Sequence, residues 1–85
     1  MADIQQVLTQ RASTHGDFAQ GAITFSQLHF LIQREQETLS APQYYALTMI
    51  CTKMTRILNG NPNEPDHWRD IAGYASLALA EIEGK

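Results

Sequence analysis

The apolar residues of this chain recur at the three- and four-residue spacing of helices that bury one face. No segment alternates apolar and polar residues for long enough to predict a strand. Glycine, proline and asparagine break the pattern at Gly16, at Ser40-Ala41-Pro42 and in residues 59–65. The pattern therefore predicts an all-α fold, an antiparallel bundle of three longer helices preceded by a short N-terminal helix.

The first half of the chain predicts the short helix and one long helix. The short helix is expected over residues 3 to about 12, with residues 13–17 interrupting the chain after it. The second helix is expected over residues 18 to about 39, and Asp3 and Asp17 are placed to cap the two N-termini. Apolar residues occupy more than one side of the second helix, which is typical of a central helix or a subunit interface.

The second half of the chain predicts two long helices with clear start and stop signals. Ser40 is placed to cap the third helix, Pro42 falls in its first turn, and Asn59-Gly60 ends it. The fourth helix is expected to begin near Pro65 or Asp66. Its apolar residues are Trp68, Ile71, Ala72, Ala75, Ala78, Leu79 and Ile82.

Composition limits the class of protein. The 85 residues, 44% of them hydrophobic, predict one folded domain over residues 1–85. A net charge of −3 argues against a general nucleic-acid binder, which usually has a basic face. No apolar run is long enough for a membrane helix, and the first residues lack the features of a secretory signal, so we expect a cytoplasmic protein. The single cysteine, Cys51, excludes an internal disulfide.

The small size of the chain also favours self-association. A domain of this length buries only about 60–70% of the surface that its unfolded chain exposes. Its stability alone would therefore be marginal, and an apolar face shared with a second subunit would add to it. The sequence accordingly predicts a homo-oligomer.

Lys53 and Arg56 are the most informative charged residues, because a spacing of three is expected to place them on one face of the third helix. That helix has no acidic residue between Pro42 and Leu58, so the basic pair needs a partner elsewhere. Asp70 on the fourth helix would supply a carboxylate for an ion pair that ties the two helices together. The alternatives are a phosphate ligand and a solvated pair.

Acidic residues at the start of the fourth helix form a second candidate site. Asp66, Asp70 and Tyr74 share one face at intervals of four residues. Two carboxylates one turn apart suit a hard cation such as Mg²⁺, although such sites usually also use substrate phosphates. The simpler interpretation is that Asp66 caps the helix and Asp70 forms an ion pair. The candidate ligand-binding residues are Lys53, Arg56, Asp70 and Tyr74, and the candidate metal ligands are Asp66 and Asp70.

Three other residues have a simpler and a more functional interpretation. His15, beside Asp17 in a loop, could act as a base or a ligand, but it could equally bond the backbone or solvent while Asp17 caps the next helix. His29 lies among apolar residues and is expected to be a hydrogen-bonded core or interface residue. Cys51 lies on the apolar stripe of the third helix and is expected to pack there. No phosphate-binding loop or catalytic triad pattern is present, and no motif requires a cofactor.

Several motifs resemble a family of small phage and prophage proteins of unknown function, and the resemblance covers nearly the whole chain. Its most specific part is the Lys53 and Arg56 pair followed by Asp70-Ile71-Ala72-Gly73-Tyr74. More distantly, the family is similar to the MazG-type all-α nucleoside triphosphate pyrophosphatases, which are oligomeric helical bundles that hydrolyse nucleotides with Mg²⁺. The remaining motifs are His15-Gly16-Asp17-Phe18, Ala46-Leu47-Thr48-Met49-Ile50, Arg56-Ile57-Leu58-Asn59-Gly60 and Asp66-His67-Trp68-Arg69, with Ala75 after Tyr74.

The resemblance implies a helical bundle, but the metal-binding motifs depart from it. MazG-type enzymes hold Mg²⁺ with a Glu-Glu-x-x-Glu run on one helix and a Glu/Asp-x-x-Asp pair on the next. Here the helix before Asp70 carries Lys53 and Arg56 and no acid. Asp70, with Asp66 or His67, is all that carries over from the second motif. Without three or four converging carboxylates, two-metal hydrolysis cannot neutralise the phosphates, so Mg²⁺-dependent pyrophosphohydrolysis is doubtful.

Two functions remain after this comparison. The first is a phage-derived bundle that binds a nucleotide or another phosphate ligand through the candidate residues above. The second is a protein-interaction module that binds and modulates a host protein in the cytoplasm of a bacterial host. Candidate contacts for the second function are Phe30, Leu31, Tyr45 and Met49.

Overall fold

The computed structural model describes residues 3–84, which form four α-helices and no strand. A short 3₁₀ turn, Gln36–Thr38, lies between the second and third helices. The all-α prediction is therefore confirmed over the described residues. The helices are α1 (Ile4–His15), α2 (Phe18–Arg34), α3 (Ala41–Asn59) and α4 (Pro65–Glu83).

Helix α1 is longer than the sequence pattern predicts. Residues 13–15 continue the helix, because the hydroxyls of Ser13 and Thr14 donate to carbonyls one turn earlier and so fit within it. The break falls only at Gly16, whose φ of 85° lies in the left-handed region. Asp3 stands at the N-cap, but its side chain makes no capping hydrogen bond.

Helix α2 is shorter than predicted, since it ends at Arg34 rather than near residue 39. The chain must be extended before the next N-cap, and Leu39 already has the extended backbone angles that lead into Ser40. The five residues between Arg34 and Ser40 therefore form the 3₁₀ turn and the approach to α3 instead of a last helical turn.

The predicted caps of α2 and α3 are confirmed. The Asp17 carboxylate accepts a hydrogen bond from the Gln20 backbone N–H at 2.8 Å. Ser40 and Gln43 form a reciprocal capping box at the start of α3, with Pro42 in the first turn. Because these caps satisfy backbone donors locally, the helix starts are defined by adjacent residues rather than by distant packing.

The central helix is α3, which packs against α1, α2 and α4. The core that it forms is small, with Ala46, Cys51, Thr55 and His67 as the buried residues between positions 3 and 84. Cys51 packs as expected, and burial raises the pKa of its thiol. The Nε2 atom of His29 is hydrogen-bonded to the Thr48 hydroxyl at 2.9 Å, as expected for a hydrogen-bonded core residue.

The α1–α2 turn and the α3–α4 turn meet backbone to backbone. The Asn61 N–H donates to the Thr14 carbonyl at 3.1 Å. A Cβ atom on Gly16 would lie 2.3 Å from the Asn59 carbonyl oxygen, and one on Gly60 would lie 2.3 Å from that of Thr14. This junction fixes the end of α1 against the end of α3, and the site described below lies beside it.

The described chain is open and its apolar surface is large. It exposes 6199 Å², whereas a compact monomer of this mass exposes about 5,050 Å². Its radius of gyration is 14.6 Å, against about 12 Å for a compact chain of this length. No helix within residues 3–84 has the length and apolar character needed to cross a bilayer. The exposed large apolar side chains are Ile4, Leu8, Phe18, Ile23, Phe30, Leu31, Tyr45, Leu47, Met54, Leu58, Trp68, Leu77, Leu79 and Ile82.

Candidate functional site

A cavity of about 690 Å³ lies between α1, α2 and α3, next to the junction of the two turns. Its volume falls within the range of about 300–1,000 Å³ that small-molecule sites usually have. Each of the three helices contributes to its wall, so the cavity exists only when all three are packed. The lining residues are Leu8, Arg11, Ala12, His15, Gly16, Asp17, Phe18, Gly21, Ala22, Phe25, Thr52, Thr55 and Arg56.

Two guanidinium groups from different helices line this cavity. Arg11 comes from α1 and Arg56 from α3. Within residues 3–84, neither guanidinium forms an ion pair or a hydrogen bond to another side chain. An arginine that faces a cavity with all its donors available is ready to bind an anion, since its planar fork matches carboxylate and phosphate oxygens.

The rest of the lining from α1 and α2 is largely apolar. It includes Leu8 and Ala12 of α1 and Phe18, Ala22 and Phe25 of α2. Phe18 is 91% exposed, which is unusual for a phenylalanine that begins a helix beside a cavity. The aromatic rings and the small alanines together form an apolar surface that a flat ring could cover.

His15 is the last residue of α1, where the two turns meet, and it also lines the cavity together with Arg11 and Arg56. Its Nδ1 is hydrogen-bonded to the Thr14 hydroxyl, while Asp17 caps α2 as the simpler interpretation expects. Burial lowers the pKa of His15 below 6.5, and the nearby charges of Arg56 and His67 lower it further. The uncharged form of the His15 ring is therefore favoured.

His67 supports this arrangement from α4. Only 3% of the residue is exposed, and its Nε2–H donates to the Thr14 carbonyl at 2.8 Å. Its ring meets the His15 ring edge to face, with 5.3 Å between the centroids. His67 thus holds the last turn of α1, and with it His15, in place beside the cavity.

The predicted ion pair between α3 and α4 is present, but it involves only one of the two basic residues. The Lys53 ammonium lies 3.1 Å from the Asp70 carboxylate, with 12% and 47% of the two side chains exposed. Arg56 instead lines the cavity between α1 and α2. A spacing of three leaves the two residues about 60° apart around α3. Both therefore lie near His15, while Lys53 pairs with Asp70 and Arg56 lines the cavity.

The other predicted site residues lie outside this cavity. Asp66 is bonded to Arg69 one turn along α4, and Tyr74 lies edge to face against Tyr45 at 6.3 Å between centroids. No group of three or more His, Cys, Asp or Glu side chains suited to a metal ion occurs within residues 3–84. The assignment of Asp66 and Asp70 as Mg²⁺ ligands, and of Tyr74 as a ligand contact, stays a prediction.

Sequence reasoning missed Arg11 and the two phenylalanines of the cavity. The available signal is that Arg11 and His15 are four residues apart and so share a face if α1 reaches residue 15. Expecting α1 to end near residue 12 removed that signal. Phe18 and Phe25 are among the apolar residues of α2, and helical spacing alone gives no indication that they border an open space.

Comparison with known proteins places the chain in a family. A family model with the description "Domain of unknown function (DUF6378)" matches residues 1–82, so the chain belongs to that family. No curated protein matches the chain, and no solved structure matches it either. The family description carries no ligand, activity or partner to this chain.

Proposed function

We propose that this member of the DUF6378 family binds a small phosphorylated ligand, of the nucleotide class, in the cavity between α1, α2 and α3. The observation that carries the proposal is that Arg11 and Arg56 line one cavity from two helices, with no anionic partner among residues 3–84. A phosphate group between the two guanidiniums would supply the missing counter-charge and link α1 to α3.

The charges around the cavity favour an anion. Three cationic side chains lie close enough to His15 to lower its pKa, those of Lys53, Arg11 and Arg56. Of the three, only Lys53 is paired with a carboxylate within residues 3–84, that of Asp70. Asp17 is the one carboxylate of the cavity wall, and it accepts the N-cap hydrogen bond of α2. The positive charges of the two arginines therefore exceed the negative charge available along the wall.

The apolar wall favours a ligand that carries a ring as well as a phosphate. Phe18 and Phe25 contribute aromatic side chains to the lining from α2. A nucleobase could cover them while its phosphate reaches the arginines, and the cavity volume accommodates both parts. The resemblance to MazG-type bundles points to the same ligand class.

We propose binding without hydrolysis. Among the described residues, Asp17 is the only carboxylate of the cavity wall, so this wall lacks the converging acids that two-metal phosphate chemistry uses. Of the residues predicted from sequence, the proposal keeps Arg56 as a direct contact. Lys53 contributes positive charge nearby while it is bonded to Asp70.

A thermal-melt panel tests the proposal. It compares AMP, ATP and a cyclic dinucleotide with adenosine and inorganic phosphate, each with and without Mg²⁺. A ligand at a hundred times its Kd adds about 2.7 kcal/mol of stability, a shift of several degrees for a domain of this size. We expect a nucleotide to raise the melting temperature, and adenosine or inorganic phosphate alone at the same concentration to change it little. A panel with no shift at millimolar ligand contradicts the proposal.

Exposed apolar residues favour a second candidate function, a module that binds a host protein. Phe30, Leu31 and Tyr45 are all more than half exposed, whereas Met49 is half-buried. A phage origin of the chain would suit this role. Recovery of one host protein by the wild-type chain but not by a Phe30→Asp variant would support it.

We also propose that the functional unit is a homo-oligomer. The described chain exposes roughly 1,100 Å² more than a compact monomer of its mass. This excess exceeds the area of about 800 Å² that each partner contributes to a standard protein interface.

A further inference from the structure

Helix α4 carries an apolar stripe that faces away from its own bundle. The residues that face inward are His67, Ile71, Tyr74 and Ala78, all buried or half-buried. Beside them runs a second stripe, here called the α4 seam, whose members are all exposed. The α4 seam consists of Trp68, Ala72, Ala75, Leu79 and Ile82.

The spacing of the α4 seam is that of a helix that pairs with another helix. Successive members lie four, three, four and three residues apart, which is the heptad spacing of the apolar seam in coiled coils. Such a seam packs knobs into holes against a second helix, and α3, the helix that packs against α4 in the same chain, leaves it exposed. The small Ala72 and Ala75 at its centre would let two helix backbones approach closely.

We propose that the α4 seam pairs with the α4 seam of a second copy of this chain, as the interface of a homodimer. This deepens the proposed oligomer and does not depend on the ligand. A two-fold axis brings identical patches together, so the same seam can serve both subunits. The exposed seam contributes to the excess exposed area of the whole chain, which is roughly 1,100 Å².

The chemistry of the seam suits burial in an interface. None of its five residues is charged, and the polar group of Trp68 already has a partner in its own chain. The indole Nε1–H donates to the Pro62 carbonyl at 2.8 Å. A second subunit could therefore cover the Trp68 ring without leaving a buried donor unsatisfied.

A smaller groove on the other side of α4 provides a comparison. It lies between the start of α3 and the end of α4, and it is lined by residues that include Tyr45, Tyr74 and Leu77. Leu77 is 65% exposed and Leu79 is 53% exposed, yet only Leu79 belongs to the seam. The two leucines are therefore a matched pair for testing which side of α4 meets the second subunit.

Sedimentation or light scattering at fixed protein concentration tests the interface. We expect the wild-type chain to be a dimer, Leu79→Glu to be a folded monomer by circular dichroism, and Leu77→Glu to remain a dimer. A monomeric wild type overturns both the oligomer and the interface. A dimeric Leu79→Glu variant, or dissociation by Leu77→Glu instead, overturns the interface and leaves the oligomer standing.

Cross-linking tests the same interface without adding charge, in case Leu79→Glu fails to fold. Cys51 is 1% exposed, so an added surface cysteine would be the only accessible thiol. Ala75 is the midpoint of the seam, so two Ala75→Cys subunits should be joined by a short bismaleimide. We expect efficient dimer formation with Ala75→Cys and little with Leu77→Cys. Equal yields of cross-linked dimer from the two variants, or a higher yield from Leu77→Cys, overturn the interface.

Discussion

Replacing Gly60 by alanine is expected to lower the free energy of unfolding by about 3 kcal/mol, a cost at the upper end for overpacked sites. The added Cβ would lie 2.3 Å from the Thr14 carbonyl oxygen and 2.6 Å from the His15 carbonyl carbon. These are backbone atoms, which cannot move aside as the end of a flexible side chain can. The two turns would have to separate, and urea unfolding of the variant at the wild-type protein concentration measures the cost.

Gly16→Ala is expected to have a similar effect, and Gly73→Ala is the matched control. Gly16 has a φ of 85°, and a Cβ atom added to it would lie 2.3 Å from the Asn59 carbonyl oxygen. Gly73 lies inside α4 with nothing within 4 Å of an added Cβ. Alanine there should raise stability by roughly 0.5–1 kcal/mol, because alanine is the better helix former. Similar stability changes for Gly60→Ala and Gly73→Ala would contradict the close junction of the two turns.

Replacing Arg56 by glutamine is expected to weaken nucleotide binding about 10- to 100-fold. Charge-assisted hydrogen bonds contribute about 1.5–3 kcal/mol each, and every 1.4 kcal/mol changes the affinity tenfold. Stability should change little, because within residues 3–84 the Arg56 guanidinium has no ion pair to lose. Arg11→Gln should weaken binding in the same way. Titration calorimetry with the nucleotide selected by the melt panel measures both effects.

Two control variants separate a loss of ligand contact from a general loss of charge. Arg69→Gln removes an exposed cation that is paired with Asp66 on α4, and it should leave the affinity unchanged. Lys53→Gln breaks a partly buried ion pair with Asp70, so its main effect should be on stability. If Arg56→Gln binds as tightly as Arg69→Gln, the cavity is not the ligand site.

The second half of the fold could be predicted closely from sequence because its boundaries depend on adjacent residues. The Ser40 capping box, the stop at Asn59-Gly60 and the start at Pro65 all use local backbone chemistry. The end of α1 could not be placed, because Ser13 and Thr14 are compatible with a loop and with a helix. Which one forms depends on the junction with the α3–α4 turn, which is a tertiary contact.

The candidate site was predictable only in part, for a similar reason. Asp70 lies one turn inside α4, beside its apolar stripe, so an ion pair with Lys53 could be inferred from helix spacing. The meeting of Arg11 with Arg56 depends on how α1 packs beside α3, and spacing along one helix does not contain that information. Helical spacing likewise did not distinguish the inward-facing residues of α4 from the exposed residues of the α4 seam, because the two stripes are adjacent on the helix.

The titration of the His15 ring, followed by NMR with and without a saturating nucleotide, tests the proposed anion site most directly. A His15→Gln variant assigns the signal among the three histidines of the chain. In the free protein the pKa of His15 should lie below 6.5, since burial and Arg56 disfavour its charged form. A bound phosphate would favour the imidazolium, so the ligand should raise this pKa and bind more tightly as the pH falls. A His15 pKa that stays the same when the nucleotide binds would place the anion elsewhere and contradict the proposed site.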